Sequence, residues 1–232
     1  MYNTIAKSYA AYITSKNQFW IKNPIKSQTK TLEFLIKKGK KTLFGQQHFF
    51  KDIRKYDEFK ESVPVRDYEE FKIYINRLIA GESDIIWPGT PEYFCKTSGT
   101  TSEVKNIPIF KNAIKTHINS ARDSILHYIV NTGDANFLNG KQIFIQGSPI
   151  LKIKKGIKIG RLSGIVAHHV PFYLKSSRMP SWEVNCIDEW EEKINAIVEE
   201  TINQNMTLIS GIPPWVQMYF EKIIEKKGKK IG

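Results

Sequence analysis

Residues 93–109 constrain this chain most. Tyr93-Phe94-Cys95 reads as the end of a strand, and Asn106-Ile107-Pro108-Ile109 reads as a second, short one. The stretch between them is small and polar. Five of the six residues at 97–102 carry a hydroxyl, and the sixth is Gly99. Gly99 permits positive φ and lets the backbone approach a ligand closely. Successive backbone N–H groups can then form an anion-binding concavity. Hydroxyls donate to phosphate oxygens, and Lys105 supplies a compact positive charge. A hairpin connection built this way is suited to hold a polyphosphate.

Two better-known phosphate motifs do not fit. The Walker loop needs a Gly-Lys pair leading straight into a helix, and the dinucleotide fingerprint needs three glycines. This stretch has one Gly and no Gly-Lys pair. The plainer reading, a polar surface turn, stands beside the phosphate reading, because Ser/Thr-rich turns are common.

The flanking segments separate the two. In order they are Thr42-Leu43-Phe44-Gly45, His48-Phe49-Phe50, Pro64-Val65-Arg66-Asp67-Tyr68, Gly81-Glu82-Ser83-Asp84 through Gly89, and Ser210-Gly211-Ile212-Pro213-Pro214-Trp215. With the hydroxyl-rich loop, which resembles the phosphate loop of adenylate-forming enzymes, this series resembles the GH3 family of acyl-acid amido synthetases, its bacterial branch above all. The resemblance runs from about residue 28 to the last residue.

The resemblance implies an α/β fold, the N-terminal part of the large domain of an adenylate-forming enzyme (acyl-CoA synthetase and luciferase-like). A helical layer is followed by a mixed β-sheet with helices. It implies activation of a carboxylic acid with ATP and Mg2+, then attack by an amine such as that of an amino acid. Thr97, Ser98, Gly99, Thr100, Thr101 and Ser102 would cradle the phosphates, and Lys105 would offset their charge. In the family, the helix after the loop lines the acyl pocket, which here points to His117, Ala121 and Ser124. No general base can be named, and adenylation needs none, because a carboxylate is already ionised near neutrality.

Family members run to roughly twice this length, beyond a usual single-domain size. Their adenine and ribose segments and small C-terminal domain have no counterpart in residues 1–232. The chain is therefore expected to be an incomplete N-terminal adenylation domain without an internal boundary. It is not expected to complete a catalytic cycle by itself, and the remainder of the parent protein becomes an expected partner.

Composition narrows the alternatives. The net charge of +12, from 35 basic and 23 acidic residues, raises a nucleic-acid role. The lysines are dispersed, and no zinc spacing or RNA-recognition motif accompanies them, so that role is disfavoured. No apolar run is long enough to span a bilayer and no signal sequence is evident, so a cytoplasmic protein without a membrane partner is expected. Cys95 and Cys186 are expected to be free thiols. His168-His169 is expected in a β-rich excursion over residues 157–170, where neighbouring side chains point to opposite sides and do not share a metal. No metal site is expected.

Helical spacing marks residues 2–20, with a stripe of Ile5, Tyr9, Tyr12, Ile13 and Trp20, and residues 24–38, with Leu32, Leu35 and Ile36. Asp67 can cap a third helix carrying Tyr68, Phe71, Ile75 and Leu78. These three are expected to pack as a layer. Residues 111–131 read as one long helix with Ile114, Ile118, Ala121, Ile125, Tyr128 and Ile129 inward. Residues 141–147 and 207–211 read as strands, and 187–203, with Ile194, Ile197 and Val198 inward, and the segment from Pro213 as helices. Two other functions stay open: a non-catalytic binding module, and a basic nucleic-acid binder. The identity of the acid and the amine is not legible.

Overall fold

The two amino-terminal stripes form helices α1 (Tyr2–Lys22) and α2 (Pro24–Gly39), the second begun by a proline whose missing N–H has no partner to lose there. A computed structural model describes residues 2–97 and 104–228, apart from the side chains of Tyr2, Phe172 and Tyr173. Helices α3 (Leu43–Gln47), α4 (Tyr56–Ser62) and α5 (Tyr68–Ile79) follow, then strands β1 (Tyr93–Lys96) and β2 (Asn106–Ile109). Next come α6 (Lys111–Thr132), β3 (Lys141–Ile145), β4 (Lys152–Lys154) and β5 (Ile157–Gly160). The chain continues through α7 (Leu162–Ala167), β6 (Arg178–Met179), α8 (Trp182–Asn185), α9 (Trp190–Thr201), β7 (Met206–Gly211) and α10 (Pro213–Lys227). Among the described residues no helix is long and apolar enough to cross a membrane.

Two compact units share the chain. The hairpin unit comprises residues 11–123 and 152–160. Its mixed sheet has the order β2-β1-β5-β4: β1 pairs antiparallel with β2 and parallel with β5, and β4 closes a second hairpin on β5. The core joins Tyr74, Ile75 and Leu78 of α5 to Ile85, Phe94, Phe110 and Ile157. Phe44 ties this core to Phe50, Phe71 and Tyr74 through ring contacts of 5.2–5.9 Å. Thr42 caps α3 by accepting the N–H of Gly45 at 3.1 Å, and its own hydroxyl donates to the carbonyl of Gly39 at 2.7 Å. A Cβ on Gly45 would collide with the Gly39 carbonyl, so only glycine fits that turn.

The parallel-sheet unit comprises residues 1–10, 124–151 and 161–232. Its sheet, β6-β3-β7, is parallel throughout. Ile143 and Ile145 of β3 pack on Ile194, Ile197 and Val198 of α9 and on Tyr219 and Ile223 of α10. The inward stripe read for α9 is the buried one. Trp190 and Trp215 stack at 4.4 Å, and the Trp190 indole N–H donates to the Met218 sulfur at 3.4 Å.

Three expectations need correction. Residues 162–167 are helical where a β-rich excursion was expected, and His168 and His169 follow that helix in a turn. The short run Leu162-Ser163-Gly164-Ile165-Val166-Ala167 has strand-like composition. In the structure it coils, and a Cβ added at Gly164 would come within 2.9 Å of the Ser148 carbonyl oxygen, so the backbone packing there favours glycine. On α6 the buried positions are Ile114, Leu126 and Ile129, while Ala121, Ile125 and Tyr128 are exposed. Burial is confined to a narrower face, Ile114 at one end and Leu126 with Ile129 at the other, which passes beside those three. The stripe of α1 is turned outward: Ile5, Tyr9, Tyr12 and Trp20 are exposed, and Ala10 and Thr14 are the buried positions. On α2, Ile36 is buried and Leu35 exposed. The amino-terminal helices thus contribute less to a packed layer than their periodicity suggests.

Candidate functional site

A reciprocal capping box starts the construction. Asp67 accepts the N–H of Glu70 at 2.9 Å, and Glu70 accepts the N–H of Asp67 at 3.0 Å. This fixes Tyr68 in the first turn of α5. Its hydroxyl accepts the N–H of Asn106 at 2.8 Å, holding the first residue of β2. Tyr68 therefore anchors the point where the chain leaves the hydroxyl-rich loop. Sequence reading placed Tyr68 only in a packing stripe. The contact joins residues 38 apart, and no local pattern signals it.

The β1–β2 ladder runs from Tyr93↔Ile109 to Lys96↔Asn106. One further bond closes the neck: the N–H of Thr97 donates to the carbonyl of Lys105 at 3.1 Å. The two strands expected on either side of the hydroxyl-rich run are therefore present and paired, with Thr97 and Lys105 facing each other next to the ladder's end. Ser98, Gly99, Thr100, Thr101 and Ser102 lie outside the described residues. The Lys105 ammonium lies 5.3 Å from the centre of the Tyr68 ring, and the residue is half-buried. The ring face holds the cation close to the loop without neutralising it. Cys95 is buried in β1 beside this neck, as a small strand residue is expected to be.

His117, Ala121 and Ser124 lie on α6 at i, i+4 and i+7, and all three are exposed. None of the three is a core position of the described residues. His168 is held structurally: its Nε2 lies 2.9 Å from the Pro149 carbonyl, and its ring meets Trp182 edge-on at 5.0 Å. Among the described residues no group of His, Cys, Asp and Glu side chains is arranged to hold a metal ion.

The parallel-sheet unit has two features that sequence reading missed. An open cavity of about 610 Å³ is lined by β7, the end of α9 and the face of α10 carrying Tyr219, Phe220 and Ile223. Its lining is mainly apolar, and it is not the place for a phosphate chain. The Arg178 guanidinium stacks 5.0 Å over Phe144, and burial pushes its pKa down. The Arg178 Nε and the Gln146 amide nitrogen are both buried without an acceptor. Gln146 shares a side of the β3 line with Phe144, so both unmet donors belong to one side of this strand.

The closed neck brings Thr97 and Lys105 to the same point. The model of the GH3 family N-terminal domain matches residues 16–184. No curated protein matches the chain. Among solved structures, a GH3.15 acyl acid amido synthetase superposes with a TM-score of 0.66 and 14% sequence identity, over 88% of this chain and 38% of that one. AtGH3.15 acyl acid amido synthetase in complex with 2,4-DB gives 0.69 and 17%, over 86% of this chain and 35% of that one. The chain thus spans little more than a third of the length of these structures.

Proposed function

The chain belongs to the GH3 family, and from that premise we propose that it is the N-terminal part of an ATP-dependent acyl-acid amido synthetase. The whole enzyme adenylates a carboxylic acid and passes the acyl group to an amine. The closed neck carries this reading: Thr97 and Lys105 meet at the base of a segment in which Ser98, Thr100, Thr101 and Ser102 carry hydroxyls.

In this reading Thr97, Ser98, Gly99, Thr100, Thr101 and Ser102 hold the phosphates of ATP. Lys105, steadied by the Tyr68 ring, faces the outer phosphates. Magnesium, bound with the nucleotide, would supply further relief of phosphate charge beside Lys105. The substrate carboxylate attacks the α-phosphorus, the bond to the bridging oxygen breaks, and pyrophosphate leaves with that electron pair. An amine then attacks the acyl carbon, and AMP leaves. The chain's share of this work is alignment of the phosphates and relief of charge that builds on them as pyrophosphate departs. His117, Ala121 and Ser124, open on α6, line the acyl pocket.

The test is ATP–pyrophosphate exchange with a panel of carboxylic acids. It is run on the chain alone and on a polypeptide that also carries the rest of a family-length protein. Acid-dependent exchange in the longer polypeptide, lost on Lys105→Ala, supports the reading. Exchange that ignores Lys105→Ala overturns the assigned site.

A further inference from the structure

On α1 and α2 the hairpin unit turns a run of large apolar side chains outward, and the charge around them is one-sided. Residues 11–41 hold eight lysines and a single carboxylate, Glu33, with no arginine. All eight lysines are exposed. Among them stand Trp20 at 53% exposure, Phe19 at 50% and Ile25 at 74%, with Ile21, Phe34 and Leu35 also exposed. This acid depletion is local, because the whole chain carries 23 acidic residues.

The lysines and rings interleave. On α1 the Lys16 ammonium lies 4.2 Å over the Tyr12 ring. From α2, Lys26 and Lys30 reach back over the Phe19 ring of α1 at 5.9 and 5.6 Å. Lys38 lies 6.0 Å over Phe34, which itself meets Trp87 at 6.2 Å. The i, i+4 row Lys26, Lys30, Phe34, Lys38 and the contacts to Phe19 make one continuous stripe across both helices.

We propose that this stripe docks the protein on an anionic lipid surface, with Ile21, Ile25 and Leu35 entering the headgroup–acyl boundary and the lysines meeting lipid phosphates. Exposed aromatic and aliphatic side chains beside lysines are the composition of an interfacial amphipathic helix. Lysine stems snorkel, so each ammonium can reach a headgroup while its methylenes cover apolar surface. A second copy of the chain is a poor occupant, since eight lysines would face eight. Single-stranded nucleic acid is a poorer one than lipid. It binds by stacking bases on open ring faces, and the ring faces of Tyr12, Phe19 and Phe34 are already taken by ammonium groups. Peripheral docking requires no spanning helix.

The experiment is flotation of the purified chain with vesicles of phosphatidylcholine, alone or mixed equally with phosphatidylglycerol. Binding is expected only to the mixed vesicles and is expected to fall as salt rises. Lys26→Gln, Lys30→Gln and Lys38→Gln together should lower the partition coefficient roughly a hundredfold. The same change at Lys115, Lys152 and Lys154, exposed elsewhere in the unit, should alter it little. Ile25→Ser with Leu35→Ser should weaken vesicle binding without removing its salt dependence. Circular dichroism of each variant guards against loss of fold. The proposal is overturned by equal binding to neutral vesicles, by no binding to either, by equal loss in the control variant, or by preference for single-stranded RNA over the mixed vesicles.

Discussion

Arg66 donates from Nη1 to the Nε2 of His48 at 2.9 Å, which fixes His48 as a neutral imidazole. A guanidinium has no acceptor, so Nε2 carries the lone pair. The proton therefore sits on Nδ1, which donates to the Ser62 carbonyl at 3.0 Å. The ring is buried against Phe44 at 4.3 Å. Burial, the largest cause, and the nearby Arg66 charge lower the pKa of His48 below its ordinary 6.5, and the Ser62 bond only partly opposes them.

A pH dependence of stability follows. Between the depressed native pKa and 6.5 the unfolded chain holds a proton on His48 that the native chain does not. Stability should rise with pH across that window, level off above it, and fall on acidification. Denaturant titrations at several pH values check this. His48→Gln, which keeps an acceptor for Arg66 but cannot titrate, should flatten the slope. An unchanged slope in that variant would assign it to another group.

Lys105→Ala should lower the affinity of the chain for inorganic tripolyphosphate about tenfold, the loss expected for one charge-assisted contact. Affinity for AMP should change much less, because AMP lacks the outer phosphates. Lys105→Arg should restore little, since a flat fork replaces a point charge. Calorimetric titration gives all three numbers. Equal losses for tripolyphosphate and AMP would remove Lys105 from the outer phosphates.

Tyr68→Phe keeps the ring beneath Lys105 and deletes the acceptor for the Asn106 N–H. It should cost about 1 kcal/mol of stability. It should also speed hydrogen exchange at Asn106 well beyond exchange elsewhere in the β1–β2 ladder. Uniform acceleration across the sheet would mean that the hydroxyl does not specifically hold the loop's exit.

Gly45→Ala should destabilise by about 2–3 kcal/mol, since the added carbon meets the fixed Gly39 carbonyl. Gly156→Ala has open space around its Cβ but a φ of +79°, so it should cost only about 1 kcal/mol. Thermal melts of the two variants give the order. A reversed order would mean that the α2–α3 turn yields more easily than its packing indicates.

Parts of this architecture were legible in the residues. Asp67 announced the start of α5, and β1 and β2 stood out because a hydroxyl-rich run separates them. The buried stripe of α9 was readable because only one face is apolar. The outward turn of α1 was not, since periodicity identifies a face but not what that face meets. The helix at Leu162–Ala167 was not either: Gly164 packs too tightly on Ser148 to carry a side chain, and that proximity leaves no local mark in the residues. At the site, the chemistry of Thr97 and Lys105 could be read from composition. Their closure into a neck and the anchoring by Tyr68 could not, because both depend on pairing across the sheet.

The strand order also sets a sequence of events during synthesis. β1 has its parallel neighbour in β5, drawn from residues 152–160, which follow a stretch belonging to the other unit. β3 in turn waits for β7, more than sixty residues later in the chain. On the ribosome, each nascent sheet therefore stays open along one edge until distant residues emerge. Such long-range pairing forms slowly, and an open strand edge invites wrong partners. A gene fragment ending before β5 would leave β1 in that state permanently, so neither unit can be cut out as one contiguous piece.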